Sequence, residues 1–416
     1  MIVRKFLAWA REAPAGERAQ ALRVLAQGWL HSSMPAQMRR EAEAALTAAL
    51  DDPSAQVRRA LAEVFAAAPD APRHIVIALA NDQSDVACHV LASSPLLSHE
   101  DLVDCATIGD ALAQAAIAGR PSLSAHVCVT LAERGCRDAL VVLARNHGAD
   151  IPDHSILKMI ERHGDDGELR EALAGRDYLP GTVHSDLVRA AASSLTDFVT
   201  ECGWLSRDRA ERVARESADR ATTRIVQDVL QDDPLDGAIE LVRHLRQRGA
   251  LSVALLLRLL LSGDRTFFIT ALADLSGLSL ERVAGFVRVH GGGGFAALYA
   301  RAKMPADLFA AFVAALQAQD EYLLEAGSGE LRLSRSLVAF VLAQCERSST
   351  PPQAMALLRR FEAEAAQDEA RVLTQAYASQ PLPQAPPEPE PSRTPFETGP
   401  LDLASIRRQL AQMAAE

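Results

Sequence analysis

Six side chains able to ligate a divalent metal fall between positions 147 and 166: His147, Asp153, His154, His163, Asp165 and Asp166. Imidazole with carboxylate is zinc and transition-metal chemistry. Their spacing argues against it, because no two sit one turn apart on a helix in the manner of His-Glu-x-x-His. His147 and His163 each precede a glycine at an expected helix end, where the dipole favours histidine, so helix termination is expected and no metal ligands. A second candidate is Gly291-Gly292-Gly293-Gly294, whose N–H groups precede a helix and can cradle an anion. No Lys or Ser/Thr follows at phosphate-loop spacing and no strand comes before; a helix joint is expected. Arg207, Arg209, Arg212, Arg215, Arg220 and Arg224 are candidate anion or nucleic-acid contacts. They interleave with Asp208, Glu211, Glu216 and Asp219 at spacings that allow pairing within one helix, which predicts a solvated, ion-paired face. Ser, His, Asp and Cys are all present, yet none stands in a nucleophile-elbow or similar signature. Catalytic residues and cofactors are therefore expected to be absent, and the chain is expected not to be an enzyme.

The elements around these residues repeat. Asp52-Pro53-Ser54-Ala55-Gln56-Val57 leads to Leu61, Asp82-Gln83-Ser84-Asp85-Val86 to Val90, and Arg120-Pro121-Ser122-Leu123-Ser124-Ala125-His126-Val127 to Leu131. Each pair lies four residues apart on one helical face. Val57, Leu61, Val86, Val90, Val127 and Leu131 are thus predicted to be buried where helices stack. Prolines and glycines fall at the intervening breaks, as helix starts and ends require. The pattern predicts an all-α chain: a HEAT-like helical-repeat solenoid over 1–180, then a second all-α domain over 181–378. In the second domain a long helix over 206–231 carries the seam Ala210, Val213, Ala214, Ser217, Ala218, Ala221, Ile225 and Val229, small residues suited to close approach. A proline-rich linker is expected over 379–400 and a short amphipathic helix over 401–416.

Composition agrees with helices. Apolar residues make up 49% of the chain and aromatics only 5%, a balance that disfavours strands. The net charge of −11, from 43 basic and 54 acidic residues, weighs against a dedicated nucleic-acid binder, which needs clustered Lys and Arg. The N-terminal stretch is too short and too charged for a signal-peptide core. The apolar run Leu251 to Leu261 is shorter than the roughly 20 residues of a membrane span. A cytoplasmic protein without a membrane span is expected. The cysteines form no Cys-x-x-Cys pair and read mostly as small buried hydrophobes.

Three phrases carry a resemblance: Ala92-Ser93-Ser94-Pro95-Leu96-Leu97-Ser98-His99-Glu100-Asp101-Leu102, Ile117-Ala118-Gly119-Arg120-Pro121-Ser122-Leu123-Ser124, and Gly263-Asp264-Arg265-Thr266-Phe267-Phe268-Ile269-Thr270-Ala271-Leu272-Ala273. Over roughly residues 50–320 the chain resembles domain-of-unknown-function family 2336, an alphaproteobacterial group. The resemblance implies a bacterial, helical, HEAT-like protein; it implies neither an activity nor site residues.

Stacked helical pairs expose a broad surface that suits binding. The expected function is a non-catalytic scaffold or regulatory adaptor for a protein partner. Two alternatives are nucleic-acid binding through the Arg-rich helix and a small-ligand sensor with a pocket between the two domains. Leu403, Ile406, Leu410 and Met413 form one apolar stripe at the C-terminus. A helix that short is marginal alone, so these are candidate partner-docking residues, in cis or in trans, and self-association stays open.

Overall fold

The computed structural model describes residues 8–10, 12–322, 333–348 and 350–378. All regular secondary structure among the described residues is helical, with one isolated parallel bridge between Leu123 and Ala149. No described helix is long and apolar enough to cross a membrane.

The first part stacks helices in two rows. One row runs α1 (Ala15–His31), α3 (Ala55–Phe65), α5 (Ser84–Ser93), α7 (Ala111–Ala118), α9 (Arg137–Arg145) and α11 (Gly167–Ala174), each packed on the next in the row. The other contains α6 (His99–Ile108), α8 (Ala125–Arg134), α10 (Asp153–His163) and α12 (Gly181–Glu201), again packed in sequence. Helices α2 (Ala36–Ala48) and α4 (Arg73–Ala80) pack on α1 and on α3 and α5 respectively. All six predicted repeat positions, from Val57 to Leu131, are buried in one continuous core that extends from Ala19 to Leu187.

The polar half of the repeat has its own use. Ser54 and Ser124 occupy N-cap positions without a side-chain capping bond. The aspartates before α3, α5 and α11 receive arginines from the previous helix of the row. Arg18 on α1 donates two hydrogen bonds of 2.8 Å to Asp52. Arg58 on α3 donates to Asp82 at 2.6 and 2.9 Å, and Arg137 on α9 to Asp166 at 2.7 and 3.1 Å. Such bidentate pairs fix direction as well as distance. In both rows, arginines also cap helix C-termini. Arg120 donates to the Leu91 and Ser94 carbonyls at 2.6 and 2.7 Å, and Arg162 to those of Ala132 and Gly135 at 2.7 and 2.8 Å.

The second part begins with the antiparallel hairpin of α12 and α13 (Arg207–Asp232). It continues through α14 (Asp236–Gln247), α15 (Val253–Leu261), α16 (Thr266–Ser276), α17 (Leu280–Arg288) and α18 (Gly293–Arg301). Then come α19 (Phe309–Tyr322), α20 (Arg335–Arg347) and α21 (Pro352–Ala378). Their core runs from Ile225 to Ala365; at its centre Phe268 stacks on Phe312 with ring centroids 5.4 Å apart. The apolar run is helix α15, buried from Leu255 to Leu261. Both cores lie within one compact unit that ends at Ala366, and the residues from Gln367 form a second unit.

The expected seam of α13 is displaced. Ala210 and Ile225 are buried as predicted, but Val213 and Ser217 face solvent, and Thr222, Thr223 and Val226 are buried instead. Over residues 207–221 of α13 only Ala210 is buried, so most of its expected seam there is left partly open.

Candidate functional site

The hairpin carries the features best placed to recognise another molecule. On its inner side, α12 presents Ser185, Val188, Arg189, Ala192 and Thr196, and α13 presents Arg207, Glu211, Ala214, Arg215, Ala218 and Thr222. Both sets follow helical spacing, so each is one continuous face. Three small residues stand here: Ala214 and Ala218, both in the seam expected to allow close approach, and Ala192 opposite them. They line a cleft of about 360 Å³, closed at one end by Arg248, Gly249, Ala250 and Ser252 in the turn before α15.

Charge in the cleft is arranged around two aspartates. Asp186 is almost fully buried, and its carboxylate meets His244 Nε2 at 3.1 Å, Arg248 Nη2 at 2.8 Å and Arg189 Nε at 3.5 Å. Burial pushes this carboxyl up, but His244 and the two guanidiniums outweigh burial and hold it below the usual range. Asp219 has weaker company: Ser252 Oγ donates to it at 3.3 Å. Burial therefore dominates and raises its carboxyl to about 6. Arg207 is committed to Asp197 at 2.7 Å and to Glu211 at 3.5 Å. Arg215 makes no ion pair among the described residues and borders the cleft.

At its tip the hairpin is apolar. Trp204 is 69% exposed, Leu195 57% and Phe198 51%. Leu195, Phe198 and the exposed Cys202 fall at i, i+3 and i+7 on α12 and the turn beyond it. The Trp204 and Phe198 rings meet edge to face, 5.6 Å apart. A further cavity of about 360 Å³ lies at the foot of the hairpin, with Leu179, Ile225, Val229 and Leu241 beside Asp228, Asp232 and Glu240.

The residues singled out by sequence have varied placements. His163 ends α10, His147 lies just past α9, and Asp166 caps α11 while holding Arg137. The Arg137 hydrogen bonds draw the Asp166 carboxyl down to about 2. No group of three or more potential metal ligands occurs among the described residues. The glycine run joins α17 to α18, and a Cβ at Gly294 would sit 2.8 Å from the Phe286 ring, so close helix packing accounts for that glycine. Of the six arginines on α13, Arg207 pairs within its helix through Glu211. Arg220 instead reaches Glu364 on α21 at 2.8 Å, and Glu216 pairs with Arg360 on the same helix. Arg209, Arg212 and Arg224 are exposed. Leu403, Ile406, Leu410 and Met413 lie outside the described residues.

Sequence reasoning passed over the pair that ties α15 to α21. Arg258 and Glu364, 5% and 8% exposed, form two hydrogen bonds of 2.5 and 2.8 Å, and Arg258 also covers the Phe361 ring at 4.9 Å. The available signal was a lone arginine within a run of leucines, since a charge is rarely buried without a partner. Nothing in the sequence selects which of many acidic residues that partner is.

The phrases that carry the family resemblance are structural joints. Ser98 and Asp101 form a reciprocal capping box at the start of α6. Arg120 caps α5, and Leu123 makes the bridge to Ala149. Gly263 adopts φ +92°, a conformation that strains any residue with a Cβ, and Asp264 then accepts the Thr266 and Phe267 N–H groups at 2.9 and 3.2 Å. A family model for uncharacterised proteins conserved in bacteria, domain-of-unknown-function family 2336, matches residues 86–350, and the chain belongs to that family. No curated protein and no solved structure matches it.

Proposed function

We propose that this family member is a non-catalytic scaffold of the bacterial cytoplasm that captures a protein partner at the tip of the α12–α13 hairpin. The observation that carries this reading is the exposed ridge of Leu195, Phe198 and Trp204. Large apolar side chains gathered in water mark interaction sites, and tryptophan is enriched among the residues that dominate binding energy. Behind the tip, two packed rows of a HEAT-like solenoid hold the hairpin, so the ridge meets a partner already ordered and little entropy is lost on binding. Binding of nucleic acid along α13 is the weaker alternative, because Arg207 and Arg220 are already paired with carboxylates.

The test is a photo-crosslinking side chain in place of Trp204, used inside the cell, with one in place of the exposed Ile108 as control. A discrete protein adduct from position 204 alone, lost when Phe198→Ala is added, is the expected result. The same adducts from both positions, or none from 204, would overturn the assignment.

A further inference from the structure

The inner cleft of the hairpin has a chemistry different from its tip. We infer that it binds a small phosphorylated metabolite, with the phosphoryl group held by Arg189, Arg215 and Arg248. This inference does not depend on the tip being a docking site.

The geometry supports it in three steps. Two of the guanidiniums are already aimed. Arg189 and Arg248 each form an ion pair with the buried Asp186 carboxylate, at 3.5 and 2.8 Å, and a guanidinium carries five N–H donors in a rigid fork. Asp186 fixes the orientation of both and leaves other donors free. The third, Arg215, stands one helix away on α13 and makes no ion pair among the described residues. A carboxylate ligand needs one such fork; three guanidiniums lining one cleft match the charge and the several oxygens of a phosphoryl group.

Polar groups continue below the arginines. Ser185 is 6% exposed, borders the cleft, and its hydroxyl has no hydrogen-bond partner among the described residues. Facing the cleft, this hydroxyl can hydrogen-bond to an oxygen-rich ligand. On the far wall, Asp219, held by Ser252 Oγ, offers an acceptor to the rest of the ligand. A volume of about 360 Å³ is in the range of small-molecule sites and too small for a folded partner.

The probes are AMP, glucose 6-phosphate, adenosine and a single-stranded DNA 12-mer, titrated calorimetrically into the full chain. We expect at least one phosphorylated probe to bind with Kd below about 1 mM while adenosine does not. Arg215→Ala should weaken that binding at least tenfold, and Arg189→Ala/Arg215→Ala should abolish it. Both positions are exposed, and circular dichroism establishes that the variants remain folded. Trp204→Ala should leave the affinity unchanged. The inference is overturned if neither phosphorylated probe binds, if Arg215→Ala retains full affinity, or if the 12-mer binds more tightly than AMP through the same arginines.

Discussion

In the first core, Arg18, Arg58 and Arg137 reach aspartates 34, 24 and 29 residues further along the chain. In the second, Arg258 reaches Glu364 across 106 residues. The donors and acceptors are the same; the surroundings are not. The Arg58–Asp82 pair keeps 14% of each side chain in contact with solvent, and Arg137 keeps 40%. Arg258 and Glu364 are nearly dry. A repeat can renew its cross-link at every second helix, so each one holds a single joint. The second core has no such period, and one buried pair joins α15 to the distant α21.

The largest effect should come from that pair. Glu364→Ala leaves Arg258 as an uncompensated buried charge and should cost about 3–5 kcal/mol, read as a drop in the urea midpoint. Replacing both partners with apolar residues, Arg258→Met with Glu364→Leu, should recover most of the loss. A cost below about 1 kcal/mol for Glu364→Ala would erase the contrast between the cores.

Leu61→Ala and Leu131→Ala, at fully buried positions of the two rows, should each cost about 2–5 kcal/mol, as cavity-forming substitutions do. An unchanged melting temperature in both would show the repeat register to be wrong.

Acidity should separate the cores as well. Burial raises Asp219 and Asp264 to about 6, against 3.8 for an ordinary aspartate. The folded state then binds protons that the unfolded chain has already released, so this contribution to stability is full below pH 3.8 and is lost as pH rises through about 6. Asp264→Asn should flatten that slope, worth about 2–3 kcal/mol between pH 4 and 7 by the usual conversion of pKa to energy. In the first core the order is reversed. Burial pushes Asp52 up, but its Arg18 and Ser54 hydrogen bonds outweigh burial, and Arg137 draws Asp166 to about 2. Stability from these two is present above pH 3.8 and is lost as pH falls through their lowered values, about 2 for Asp166. Hydrogen exchange at pH 5 and 7 should therefore show greater protection at pH 5 around α16, with little change around α3 and α11. Equal changes in both regions would contradict the assignment.

Smaller effects grade the ladder itself. Arg58→Ala removes a partly buried bidentate pair and should cost about 1–2 kcal/mol. Arg73, 56% exposed beside Asp101, should cost less than about 1 kcal/mol when truncated. If the two are equal in a thermal melt, burial does not set the worth of these cross-links.

Local order was legible because its causes are local. The Asp-Pro-Ser and Ser-Leu-Ser openings, the valine–leucine spacing and the Gly and Pro breaks mark where helices start and stop, as Pro152 before α10 and Pro352 at the start of α21 illustrate. The six repeat positions are buried because stacking one pair on the next covers the same face each time. Arg207 could be assigned to Glu211 because both lie on one helix turn.

What only the tertiary structure decided involves residues brought together from far apart. Small residues on α13 were expected to allow close approach, and the position of α12 leaves a cleft beside Ala214 and Ala218. Trp204 is exposed at the hairpin tip against Phe198, which its place in the sequence does not reveal. The partners of Arg220 and Arg258 lie on α21, and many carboxylates satisfy the same pairing rule on paper. Helix propensity and periodicity act over a few residues, whereas desolvation and ion pairing depend on every element that packs nearby. The amino-acid sequence therefore determined the helices and their repeat, and three-dimensional packing determined which charges are buried, which aromatics stay wet and where the chain is open.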